Sequence, residues 1–313
     1  MRVTDVLLGF MTIWVVIAVG WVLAHTKVLD ESAQQVLGKV TFFIGTPALL
    51  FAMMARADLQ RVFATNLLVS SLAAVAASLI FLAVSLVLRP HMDRASRIIG
   101  TFSAGYVNAA NLGIPIAAYV LKDVTWVAPI LLVQVVLLQP ICLSLLDADA
   151  ARENGRPTSL LRNLSLPFRN PMTIATLLGL LVNLLHWKIP SMVADPLDLL
   201  GALAVPCMLI AYGLSLRLGP LPGRGGAGLE TALASVLKLV GQPLLAWGLA
   251  RAFGLDAVQT MAVTVIAGLP TAQNVFVWSV RYGRGIVLAR DTVFVTTIAS
   301  IPTITLIAAL VHS

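Results

Sequence analysis

Long apolar runs separated by short polar stretches make up most of the chain. A helix that crosses a membrane needs about 20 mostly apolar residues. The pattern predicts ten such helices, at residues 6–24, 35–55, 63–88, 98–121, 127–146, 171–187, 197–217, 230–252, 258–280 and 291–311. No small-residue cleavage site follows the first run, so we interpret it as a retained helix rather than a signal peptide.

Composition supports this all-α membrane class. The 313 residues are 59% hydrophobic and 11% charged, with a mean hydropathy of +0.94, whereas soluble domains carry about 25% charged residues. The net charge of +7 could indicate nucleic acid, but the basic residues lie in short loops, which favours a membrane surface. Cys142 and Cys207 lie in apolar runs and are interpreted as packing residues. We expect no cofactor and no metal.

Basic residues are distributed unevenly between the two predicted sides. Fourteen lysines and arginines lie on one side and six on the other, and Lys238 lies within a span. By the positive-inside rule the side with fourteen is cytoplasmic. This predicts a multi-pass protein of the plasma or inner membrane, with both termini extracytoplasmic and loop 147–170 cytoplasmic.

The two halves of the chain resemble each other. Matching positions recur in the same order with offsets of about 160 residues: Gly20 with Gly179, Pro47 with Pro206, residues 104–111 with 267–274, and Pro140 with Pro302. Five spans per half would make the second half enter the membrane from the opposite face. The sequence therefore predicts two inverted five-helix repeats, a plan found in many secondary carriers.

Spans 4 and 9 carry polar residues and helix breakers at matching positions of the two repeats, and interrupted spans of this kind point to the substrate site. The predicted substrate-binding residues are Asn108, Asn111, Thr271, Gln273 and Asn274. The predicted helix breaks are at Gly113, Pro115, Gly268 and Pro270. Proline removes a backbone donor, and non-helical backbone at membrane depth needs protein or water around it. The alternative is that these residues only kink and join packed helices.

The chemistry of the predicted site favours an anion. Two half-helix N-termini would direct partial positive charge and free N–H groups at the crossing point. All fourteen acidic residues fall in loops or at span ends, which argues against a cation antiporter. A coupling proton or sodium stays open, and a sodium site would need carbonyls and neutral side chains.

Two residues within spans have two interpretations each. Lys238 is an intramembrane charge and therefore a candidate for a charge role, but lysine also extends readily to the interface. Trp278 follows the break in span 9 and either lines the site or belongs to an aromatic belt or the core. A membrane-embedded hydrolase would need histidines or carboxylates at depth, and none is suitably placed.

Four stretches carry a resemblance to a known family: "TPALLF", "NAANLGIPIAAYVL", "RNPMTIATLLGLLVNL" and "LPTAQNVFVWSVRYG". Over its whole length the chain resembles the auxin efflux carrier family, which includes bacterial malonate-type carriers. The family's crossover asparagine matches Asn108 and its crossover proline matches Pro270. Plant members have a proline where this chain has Val107, so auxin itself is not the expected substrate.

The resemblance implies a division into scaffold and transport parts. The scaffold would comprise residues 1–62 and 171–229 and form a homodimer. The transport part would comprise residues 63–146 and 230–313 and move as an elevator, and residues 147–170 would form a separate cytoplasmic loop. The expected function is secondary transport of a small organic anion, such as malonate or another dicarboxylate. The alternatives are a sodium- or proton-coupled carrier of a different solute, a channel, or a membrane enzyme.

Overall fold

The computed structural model describes residues 3–56, 65–113, 116–117, 121, 123–153, 171–219 and 225–311. This part of the chain is all-helical, as predicted, apart from one isolated β-bridge. Its helices are α1 (Val3–His25), α2 (Glu31–Ala55), α3 (Thr65–Leu88), α4 (Arg94–Gly105), α5 (Pro129–Glu153), α6 (Pro171–Leu184), α7 (Ser191–Leu218), α8 (Gly228–Ala252), α9 (Ala257–Ala267), α10 (Gln273–Tyr282) and α11 (Ile286–Val311). A π-helical turn at Ala109–Gly113 and a 3-10 turn at Val124–Val127 lie between α4 and α5.

Six of these helices, α2, α3, α5, α7, α8 and α11, are long and apolar enough to cross a membrane. Shorter apolar helices occur at Trp14–His25, Pro171–Leu184 and Ala257–Ala267. Large apolar side chains cover the outer surface, and Val87 and Met192 are 78% and 86% exposed. Such a surface is stable only against lipid or a partner, so the protein is a multi-pass membrane protein.

Three long helices widen just before a proline. The π-helical turns are Thr41–Gly45 before Pro47, Gln134–Leu138 before Pro140, and Leu237–Gly241 before Pro243. Proline has no N–H to donate, and its ring clashes with the carbonyl four residues earlier. In a π-helical turn that carbonyl accepts a hydrogen bond from the N–H five residues later instead of four. The helix therefore continues through the proline instead of ending.

Several predicted boundaries differ in the structure; helix α7, for example, begins at Ser191 rather than at 197. Helix α5 continues to Glu153, so the first residues of predicted loop 147–170 are helical, and residues 154–170 lie outside the described part. Helix α11 begins at Ile286 rather than at 291. Asp291 is consequently enclosed within the helix, 2% exposed and paired with Arg290 at 2.5 Å.

Ion pairs at the helix ends join groups that were predicted to lie on the same side. Arg284 contacts Glu153 at 2.6 Å, and Arg89 contacts the buried Glu230 at 2.9 Å. Both pairs belong to the side with the excess of basic residues. On the other side, Arg56 donates two hydrogen bonds to Asp198, at 2.8 and 3.0 Å. These contacts agree with the alternation of sides that the apolar runs predict.

Candidate functional site

The break after α4 and the break between α9 and α10 contact each other through their backbones. Val107 and Thr271 form an isolated antiparallel bridge. The Asn108 N–H donates to the carbonyl oxygen of Pro270 at 2.8 Å. Each unwound segment thus satisfies backbone groups of the other, which is what irregular backbone buried at membrane depth requires.

Two amide side chains extend this hydrogen-bonded junction. Asn108 Nδ2 donates to Gln273 Oε1 at 2.6 Å, and both side chains are buried. Gln134 of α5 accepts from the Val107 N–H at 2.6 Å and donates to the Val107 carbonyl at 3.0 Å. The sequence analysis missed Gln134, although an amide inside the apolar run "LLVQVVLL" is the same kind of signal that identified Asn108.

Thr271 is enclosed by protein on all sides. Its hydroxyl donates to the Ser103 carbonyl at 2.7 Å, and its N–H donates to the hydroxyl oxygen of Thr296 at 3.1 Å. Its exposure is 0%. The hydroxyl therefore joins the second break to helix α4, and Thr296 is a further contributor that sequence reasoning did not identify.

Helix α10 begins at this junction. Its N-cap residue, Ala272, is extended and provides no side-chain cap, while its N–H donates to the Tyr106 carbonyl at 3.1 Å. Asn274, in the first turn, hydrogen-bonds with the Tyr106 hydroxyl. The N-terminal end of a helix carries partial positive charge and unused N–H groups, so this end of α10 is suited to an anion.

Lys238 lies near the ends of the two helices that precede the breaks, α4 and α9. Its ammonium group is buried and donates to the Ala267 carbonyl at 2.9 Å and to the side-chain oxygen of Gln242. Gln242 in turn donates to the Gly105 carbonyl at 3.3 Å. Ala267 and Gly105 are the last residues of α9 and α4, so Lys238 and Gln242 together contact both C-termini. Lys238 does not extend to the interface.

The predicted helix breaks are partly described. A side chain on Gly113 would come within 3.1 Å of Leu269, and one on Gly268 within 2.9 Å of an isoleucine of α11. Glycine at both positions therefore permits close packing around the junction. The side chain of Asn111 and all of Pro115 lie outside the described residues, so their roles stay predictions.

A cavity of about 240 Å³ lies beside the junction, between α2, α5, α7 and the two breaks. Asn108 and Asn274 line it, together with Gln134 and Tyr106. Thr271, Gln273 and Lys238 lie outside its lining. The structure thus separates the predicted site residues into two sets. The amides of Asn108 and Asn274 line the cavity, and the other three residues do not.

Trp278 belongs to the core, which is one of its two predicted interpretations. It is 0% exposed, and it packs edge-to-face against Tyr106 and Phe102 with ring centroids 5.0 and 6.5 Å apart. The ring supports the Tyr106 segment from the side away from the cavity lining. An aromatic belt position is thereby excluded.

The cavity lining offers little for acid–base chemistry. None of the described residues that line it is charged or is a histidine. A hydrolytic centre needs a nucleophile with an adjacent base, or a metal ion. The lining provides amides, a phenol, threonine and backbone, which suit hydrogen bonding to a small polar ligand.

Comparisons with known proteins agree with a transport role. The family model described as "Membrane transport protein" matches residues 6–308. A Rhizobium meliloti (strain 1021) protein named "Putative malonate transporter" is 32% identical over 46% of this chain, and the match spans 44% of that protein's length. An "Uncharacterized transporter" of Methanothermobacter thermautotrophicus is 25% identical over 93% of both chains.

Proposed function

The chain belongs to the membrane transport protein family, that is, the auxin efflux carrier family, and we propose that it is a secondary active transporter of a small organic anion. The observation that carries the proposal is the uncharged cavity at the junction of two broken helices, lined by Asn108 and Asn274. Small-molecule sites combine largely apolar walls with a few convergent polar groups, and the cavity has this composition.

The ligand class is inferred from the donors around the cavity. Helix α10 starts there with its N-terminal N–H groups and no side-chain cap. The Asn108 and Asn274 amides can donate hydrogen bonds to a carboxylate without adding a fixed charge that would hold it too tightly for release. The name of the Rhizobium relative points to malonate, and a volume of about 240 Å³ suits an acid of that size.

The ten spans are proposed to form two inverted repeats with broken helices that cross at the site. Two equivalent close contacts support this arrangement. A Cβ on Gly20 of α1 would come 2.9 Å from the Ile210 Cα of α7, and a Cβ on Gly179 of α6 would come 3.1 Å from the Phe51 Cα of α2. Matched glycines thus occupy exchanged helix pairs, α1 with α7 and α6 with α2, as a pseudo-two-fold relationship requires.

The position of the cavity supports an elevator mechanism as part of this proposal. Helices α1, α2, α6 and α7 pack on one another, whereas α3 packs on α4 and α8 packs on α9. The first set corresponds to the scaffold of residues 1–62 and 171–229, which would form the homodimer. The cavity lies between that set and the proposed transport part, residues 63–146 and 230–313, so movement of one part past the other would carry a bound solute across the membrane.

The direct test is a ligand screen followed by flux. Purified protein is expected to show a raised thermal midpoint with one or a few short mono- or dicarboxylates, because ligands that bind only the folded state stabilise it. Proteoliposomes should then take up the same acid with saturation, and proton and sodium gradients imposed in turn would identify the coupling ion. Uptake that rises linearly without saturation would indicate a channel instead.

The uncharged lining also favours a second candidate, a cation-coupled carrier of a neutral polar solute. Amides and carbonyls serve such a solute as well as they serve a carboxylate. The same screen separates the two candidates, since neutral analogues such as the diamides of the dicarboxylates would then raise the midpoint while the acids would not.

A further inference from the structure

A second cavity, of about 480 Å³, opens between α3, α4 and α5 at the end of the bundle predicted to be cytoplasmic. Three arginines line it, Arg94, Arg97 and Arg152, together with one carboxylate, Asp149. The remaining wall is aliphatic and includes Leu86 and Leu145. It shares no lining residue with the junction cavity.

The three guanidinium groups outnumber the one carboxylate that lines the cavity, Asp149, which interacts electrostatically with Arg94. Within the described ranges none of them forms a salt bridge, whereas Arg89, Arg284 and Arg290 nearby all do. Arg97 is held in place by its own hydrogen bond, because Nη2 donates to the Arg89 carbonyl at 2.7 Å. Its Nε is buried and has no hydrogen-bond partner among these residues. An unused donor beside two further guanidinium groups suits a multivalent oxyanion.

The aliphatic wall of this cavity indicates that the ligand also has an apolar part. Leu86 and Leu145 are 51% and 47% exposed and lie on membrane-spanning helices α3 and α5. They therefore form a lipid-facing surface directly below the arginines. A free phosphate would use only the charged rim of this cavity, while a phospholipid would use the rim for its headgroup and the leucines for an acyl chain.

We propose that this cavity, the arginine cavity, binds the headgroup of an anionic phospholipid from the leaflet on that side. Basic pockets between membrane helices are a recognised way to hold such headgroups, and arginine matches a phosphodiester by paired donors. The proposal is independent of the transported solute. The bound lipid would join α3, α4 and α5, of which only α3 and α4 are connected directly at this end, through residues 89–93.

Native mass spectrometry of the purified protein in detergent tests the proposal, with dioleoyl phosphatidylglycerol and dioleoyl phosphatidylcholine as probes. The wild type is expected to retain phosphatidylglycerol preferentially. One arginine near anionic lipid is worth roughly fivefold in affinity, so Arg94→Gln, Arg97→Gln and Arg152→Gln combined should weaken that binding by about a hundredfold. A control with the same charge change on the same predicted side is Lys27→Gln, Lys39→Gln and Arg281→Gln combined, which should retain most of the binding.

Two further experiments distinguish a phospholipid from a free phosphate compound as the ligand. Leu86→Ser with Leu145→Ser should weaken phosphatidylglycerol binding, and glycerol 1-phosphate should fail to compete at equal concentration. Equal loss in the control triple variant would show non-specific charge attraction, and equal retention of phosphatidylcholine by the wild type would show that the anionic headgroup is not selected; either result would overturn the site. Full competition by glycerol 1-phosphate would overturn the lipid assignment. Monodisperse elution of each variant confirms that the effect is not misfolding.

Discussion

The ammonium group of Lys238 donates a hydrogen bond to the carbonyl oxygen of Ala267 at 2.9 Å, in the interior of the protein. Ala267 ends α9, and the last carbonyls of a helix have no partner of their own and carry partial negative charge. Through Gln242 the same lysine is connected to the C-terminus of α4. One lysine side chain thus connects the two helix ends that precede the breaks, and it links α8 to the junction.

The first prediction concerns this contact. Lys238→Met keeps much of the side-chain volume but removes the donor, leaving buried oxygens of Ala267 and Gln242 unsatisfied. Hydrogen bonds to charged groups contribute about 1.5–3 kcal/mol, so the thermal midpoint in detergent should fall by several degrees and transport should be lost. Lys39→Met, at an exposed position, is the matched control and should change neither. An unaltered midpoint and transport rate in Lys238→Met would remove the proposed role.

The second prediction concerns substrate binding by Asn108. Asn108→Ala removes an amide that lines the cavity and hydrogen-bonds to Gln273. Loss of a hydrogen bond to a charged ligand should reduce affinity by roughly ten- to a hundredfold, measured by titration calorimetry with the acid that the thermal screen identifies. Asn183→Ala is the control, since that amide binds the Met54 carbonyl away from the cavity. Equal affinities in both variants would mean that the junction only joins helices.

The third prediction tests whether Thr271 stabilises the fold around the site or contacts the ligand. Its hydroxyl donates to the Ser103 carbonyl and does not line the cavity. Thr271→Val should therefore lower stability by about 1–3 kcal/mol, the cost of an unsatisfied buried acceptor, while Thr271→Ser should restore most of it. Affinity per folded molecule should change less than about threefold in either variant. A tenfold loss of affinity at an unaltered melting temperature would instead assign Thr271 to the ligand.

The fourth prediction concerns orientation. In a Cys142→Ser, Cys207→Ser background, a cysteine at Ser159 should resist an impermeant maleimide in intact cells, because its loop belongs to the side rich in arginine. A cysteine at the exposed Ser191, on the opposite predicted side, should be labelled without permeabilisation. The reverse labelling pattern would invert the topology while leaving the fold unaffected.

The sequence alone determined the membrane class, the all-helical fold and the places where two of the helices break. Lipid provides no hydrogen bonds, so spans must be apolar and helical, and residues such as Asn108, Gly268 and Pro270 are conspicuous within them. Family membership followed from the same stretches. The prolines at 47, 140 and 243 were visible too, but the π-turns that accommodate them depend on helix continuity on both sides.

Tertiary structure decided which of the polar residues face the cavity. Asn108 and Asn274 face it, whereas the Thr271 hydroxyl is committed to Ser103, 168 positions away in the chain. Local sequence cannot distinguish these cases, because a buried donor is satisfied by whichever acceptor packing brings near. The same reason applies to Lys238. From the sequence, its side chain could either extend to the membrane interface or remain in the interior. Packing of α8 against the ends of α4 and α9 placed its ammonium group among carbonyl oxygens and excluded the interface.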